Sequence, residues 1–134
     1  MIRMYEDIVK RLESFGYTVT EADTWPLNFT MDKVSKSIID ECGVYDSEID
    51  EMVIPDGLTN TVVDMVVGEF LYYKKQSGTL EGFNLDQAIK SVKTGDTTVA
   101  FSEKDSDASR FDHLVHTLIA GNRGELASYR KIKW

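Results

Sequence analysis

A chain of 134 residues, 42% hydrophobic and 28% charged with only two prolines, is one globular domain or one domain with an arm, large enough to hold a core without disulfide or metal staples. With 23 acids against 15 bases, a formal net charge of -8, it repels phosphates; that argues against a general nucleic-acid-binding surface but allows DNA to lie close by without adhering. Its single cysteine, Cys42, excludes an intramolecular disulfide and any zinc site built on thiolates.

The chain opens with MIRMYEDIVKRLESFG, in which Ile2, Tyr5, Ile8, Val9, Leu12 and Phe15 recur at helical spacing between charged residues. An amphipathic helix stopped by Gly16 is expected. Acids and bases spread through this stretch are unlike a signal peptide, and no run of about 18 apolar residues follows anywhere, so the expectation is a cytosolic protein. The segment 17–29 reads as a connector. Thr30 is the expected N-cap of a second helix, with Val34, Ile38, Ile39 and Cys42 on one side and Gly43 closing it. The next stretch, VYDSEIDEMVIPDG, is acidic and turn-rich, with room for one short helical turn. Leu58, Val62, Met65, Val66, Phe70 and Tyr73 then mark the longest helix, from about Pro55 to Lys75, whose acidic start and Lys74-Lys75 end suit the helix dipole. Gly68 inside it costs about 1 kcal/mol relative to Ala, which predicts close helix packing at that point.

After the loop QSGTLEGFN comes a short helix over 85–92. In TGDTTVAFS the period changes: Thr97, Val99 and Phe101 alternate with Thr98, Ala100 and Ser102, which predicts a strand entered through a Gly-Asp turn. Ser106 caps a last helix bearing Phe111, Leu114, Val115, Leu118 and Ile119 and ending at Gly121. The final residues, SYRKIKW, carry three bases and two aromatics with no acid; without Arg130, Lys131 and Lys133 the rest has 12 bases against 23 acids, or -11. A terminal Trp implies that something ties this tail down. In an extended tail Tyr129, Lys131 and Lys133 face one way, and Arg130, Ile132 and Trp134 the other. That mixed pattern suits a strand added to a sheet edge in a partner, and equally a strand paired with 97–102 in the same subunit. The expected fold is mainly α: a small helical bundle over 1–127 with one short strand or hairpin excursion, and an extended C-terminal docking arm over 128–134.

Candidate chemistry is sparse. Asp112, His113 and His116 share a helix, but without an HExxH pattern and with no further histidine in the chain they read as a solvated or partly buried face. Asp46, Glu48 and Asp50 superficially offer calcium ligands, yet Glu51 stands where an EF-hand loop needs Gly. Phosphate-loop, dinucleotide and nucleophile-elbow motifs are missing, and Cys42 falls on an apolar helix side. The expectation is therefore no catalytic residue, no metal and no cofactor.

Two segments carry a resemblance. GEFLYYKKQSGTLEGFNLDQAIKSVKTGDTTVAFS and SRFDHLVHTLIAGNRGELASYRKIKW resemble the C-terminal half of head–tail connector (adaptor or head-completion) proteins of tailed bacteriophages and prophages, where a long helix, a Gly-rich loop, a short helix and a GDT-V-F strand precede a closing helix and a YRKIKW-like end. The N-terminal half matches mainly in helix pattern and length. The resemblance implies a non-enzymatic virion protein at the head–tail interface, assembled in the host cytoplasm. Its subunits would form a ring, typically of twelve, beneath the portal protein, extend the DNA channel without binding DNA specifically, and present a surface to a stopper or tail-completion protein. Tyr129, Arg130, Lys131, Ile132, Lys133 and Trp134 would be its docking arm, with Thr97, Val99 and Phe101 as a second contact. From another class, a soluble acidic adaptor or nucleic-acid mimic that binds a basic protein fits the charge as well, and a small metalloenzyme using Asp112, His113 and His116 is a further alternative.

Overall fold

The computed structural model describes residues 2–78, 80, 82–93 and 107–120. The protein is mainly α, with five helices and one two-stranded hairpin in that part of the chain. Helix α1 (Ile2–Ser14) turns Ile8 and Leu12 fully inward and leaves Glu6, Lys10 and Glu13 in water, as its spacing predicts. Gly16 ends it in the left-handed region at φ 83°, where a side chain is strained, and Gly16 N–H donates to the Glu13 carbonyl at 2.9 Å.

Helix α2 (Thr24–Cys42) begins six residues before the expected cap. Thr30 is a buried residue inside it, 8% exposed, and part of the segment expected to be a connector is helical. Pro26 permits this: it lies in the first turn, where a missing N–H leaves no intrahelical bond unmade. The helix ends at Gly43 as expected, whose N–H donates to the Ile39 carbonyl at 2.9 Å; a Cβ there would lie 2.5 Å from that same oxygen.

The acidic stretch that follows, expected to be turn-rich with one short helical turn, forms a β-hairpin and then runs into a 3₁₀ turn. Strands β1 (Val44–Asp46) and β2 (Glu51–Val53) pair antiparallel, with Val44 opposite Val53 and Tyr45 opposite Met52. Asp50 sits at φ 54°, a conformation Asp tolerates better than most residues. Asp46 Oδ1 accepts the Glu48 N–H at 3.0 Å, and the Tyr45 hydroxyl donates to Asp50. The acids considered as calcium ligands are thus turn-forming groups.

Helix α3 (Thr59–Gln76) is the central element and packs against α1, α2 and α5. Val62, Val66, Val67, Phe70 and Leu71 are all fully buried and lie around much of its circumference, which marks an interior helix. A single 3₁₀ turn (Asp56–Leu58) leads into it. Helix α4 (Leu85–Lys93) is capped by Asn84, whose side chain accepts the Gln87 N–H at 3.0 Å. Helix α5 (Asp107–Ala120) runs antiparallel to α3: Lys75 Nζ lies 3.8 Å from Asp112 Oδ1 at one end, and Gly68 meets Leu118 and Ile119 at the other. A Cβ on Gly68 would fall 2.8 Å from Ile119 Cγ1 and 2.9 Å from Leu118 Cβ, so the close contact expected of this glycine is present. Among the described residues no helix is long and apolar enough to cross a membrane. The expected strand over 97–102 and the arm over 128–134 lie outside the described residues.

Candidate interaction surface

Where the start of α2 meets the end of α3, the fold buries a carboxylate and exposes aromatics. Asp23 is 0% exposed. Its Oδ2 accepts the Tyr17 hydroxyl at 2.7 Å and the Thr20 N–H at 3.0 Å, while its Oδ1 accepts Lys74 Nζ at 3.0 Å. Burial alone would raise the Asp23 pKa, but the Thr20 amide, the Tyr17 hydroxyl and the Lys74 ammonium together outweigh it and hold the carboxyl below its ordinary value. Tyr17 packs edge-on to Phe70, with ring centroids 5.8 Å apart. One ion pair and its hydrogen bonds therefore fix the first turn of α2 to the last turns of α3.

That anchor sets the surface above it. Trp25 and Phe29, one helical turn apart on α2, stack at 5.2 Å with 16° between their planes, and remain 70% and 57% exposed. Tyr72 and Tyr73 of α3 face them across a groove of about 490 Å³, with Pro26 and Gln76 completing its apolar and polar walls. Lys33 Nζ and Glu69 Oε2 meet at 3.4 Å on the rim, an exposed pair of little energetic weight. Four large aromatics are thus left in water on one side of a small protein, an exposed apolar patch of the kind that protein contacts commonly cover.

Two further depressions are polar by comparison. One, about 520 Å³, lies between α1 and α3, where Arg11 Nε bonds Asp64 Oδ1 at 3.1 Å. Burial pushes the Asp64 carboxyl up, with the Arg11 charge and hydrogen bond partly opposing it. The other lies between α3 and α5 and includes Asp112 and His116. His113 and His116 are exposed. Among the described residues no group of three or more His, Cys, Asp or Glu side chains is placed to hold a metal ion.

None of the residues expected to dock a partner (Thr97, Val99, Phe101 and Tyr129, Arg130, Lys131, Ile132, Lys133, Trp134) falls within the described residues. The aromatic groove joins residues of α2 and α3 that lie far apart in the sequence. Tyr73 was expected on the apolar face of the long helix, but it is 49% exposed because α3 turns Phe70 and Leu71 inward beside it. The signal available was Trp25 and Phe29 at an i, i+4 spacing, readable only once the helix is started before Pro26. Comparison with known protein families, curated proteins and solved structures gave no match.

Proposed function

We propose that the protein is a non-enzymatic assembly component, a ring-forming subunit of a phage or prophage head–tail connector that extends the DNA channel between portal and tail. The observation that carries this reading is the exposed Trp25–Phe29–Tyr72–Tyr73 surface, which suits permanent contact with protein better than a life in water. The sequence resemblance of the C-terminal half supplies the class of assembly. On this reading the bundle over 1–127 is the body, and the basic arm over 128–134 reaches the portal, the stopper or tail-completion protein, or an adjacent subunit. DNA passes without specific binding, because the body is acidic. The working locations are the host cytoplasm during assembly and then the virion.

One observation favours the acidic-adaptor alternative. Between Lys36 and Lys74 the chain has nine acids and no base. Such a stretch is attractive to a basic partner. A pull-down from lysate after prophage induction separates the two readings, run in parallel with the full chain, a chain ending at Ala127, and a Trp25→Ser, Phe29→Ser variant. Recovery of portal and tail-completion proteins by the full chain, lost in both altered forms while their helical circular dichroism persists, is the expected result. Recovery of one basic enzyme or DNA-binding protein in their place would transfer the assignment to the adaptor.

A further inference from the structure

The aromatic groove is continuous with the place where α5 ends. Glu69, Tyr72 and Gln76 line both the groove toward α2 and the depression toward α5, and Ile119 in the last turn of α5 borders the latter. Past Ala120 the chain continues for 14 residues. The first seven of these span up to about 23–25 Å when extended, against about 8–10 Å between the axes of packed helices. The chain is therefore long enough to carry residues 128–134 over Tyr72 and into the groove of the same subunit.

The segment also matches the groove chemically. Tyr129, Ile132 and Trp134 offer apolar area to an aromatic cleft, and Arg130, Lys131 and Lys133 offer cations to ring faces and to a body of opposite charge. We propose that residues 128–134 seat in their own subunit's Trp25–Phe29–Tyr72–Tyr73 groove, as a latch that an assembly partner displaces. The displacement rests on the docking function proposed above; the seating itself does not. A tether this short gives an effective concentration on the order of 1 mM, so a segment with an intrinsic Kd of about 100 μM is seated about nine-tenths of the time. A partner for the groove then binds about tenfold more weakly until the arm is drawn away. The free subunit keeps its aromatic surface covered, and release exposes the arm and the groove together.

The chain has two tryptophans, and one lies on each side of the proposed contact. In the full chain carrying Trp25→Phe, Trp134 becomes the sole reporter. Its emission is expected to be blue-shifted and several-fold less accessible to acrylamide than in the free peptide SYRKIKW, with no dependence on protein concentration. Adding Phe29→Ser and Tyr72→Ser should return it to peptide-like exposure with an unchanged helical signal. As a second measurement that leaves the groove intact, a full chain carrying Tyr129→Ala and Trp134→Ala should bind the added peptide about tenfold more tightly than the unaltered chain does, because its own arm no longer competes. A Trp134 as quenchable as the free peptide, or protection indifferent to the groove substitutions, would overturn the proposal. Protection that grows with protein concentration would overturn it too, giving the groove to a neighbouring copy's arm. All of these are measured on purified protein, so a failed pull-down of phage components leaves the latch standing, and a failed latch leaves the connector reading standing.

Discussion

Asp23 shows how one side chain can hold two helices in place while leaving the surface above it free. The cost of its burial is offset because four donors reach its two oxygens, one of them charged. Asp23→Asn removes the attraction to Lys74 and exchanges an acceptor oxygen for an amide among donors. We expect a loss of about 2–4 kcal/mol in urea denaturation; a loss under about 0.5 kcal/mol would mean that the network is incidental. The pH dependence has a definite sign. Because the folded pKa lies below the ordinary carboxylate value of about 3.9, the stabilisation is complete above that value and disappears as pH falls through the folded pKa. Asp64 acts in the opposite sense: its raised pKa favours the folded state at low pH, and that contribution is lost as pH rises through the folded value. Stability measured from pH 6 to pH 2 should fall less in Asp23→Asn than in the unaltered chain, and an equal fall would contradict the network's role.

At the scale of elements, the crossing of α3 and α5 depends on Gly68. Gly68→Ala gains about 1 kcal/mol of helix propensity, but its Cβ would press on Leu118 Cβ and Ile119 Cγ1, a kind of overpacking that costs about 1–3 kcal/mol. A net destabilisation is expected in thermal or urea unfolding, and a stabilised variant would mean that α5 can move away freely. The helices were legible in the sequence where a long apolar period met a clear stop, as in α1 with Gly16 and α3 with its Val-rich faces. The start of α2 was hidden because Pro26 reads as a breaker, although it fits a first turn. The hairpin was hidden because three-residue strands are too short to establish a period of two, and its acids have low strand propensity. The Asp23 network could not be read from spacing, because Asp23 and Lys74 become neighbours only through the packing of α2 on α3. Of the groove, only its Trp25–Phe29 wall leaves a helical spacing in the sequence.

The whole molecule divides its surface between charge and aromatic area. Acids dominate it, with a run of nine and no base between Lys36 and Lys74, while the bases of the arm follow the last described helix. An acidic body keeps a free subunit soluble and suits a wall past which DNA slides, while the large exposed hydrophobics fall in two places, the Trp25–Phe29–Tyr72–Tyr73 groove and the hairpin with Val44, Tyr45, Ile49 and Met52. Replacing several exposed acids of the body by Lys should therefore slow DNA passage more than it lowers stability, read as infectivity of assembled particles against the unfolding midpoint. Unchanged infectivity with a normal midpoint would count against a channel lining. The central claim is that this chain is a permanent part of a tailed particle, and the direct measurement is the protein composition of purified particles after prophage induction. Quantitative mass spectrometry should find the chain in ring-like proportion to the portal protein, and a Trp25→Ser, Phe29→Ser variant should be missing from the particles though present in the lysate. Particles complete with portal and tail but without the chain would contradict the account.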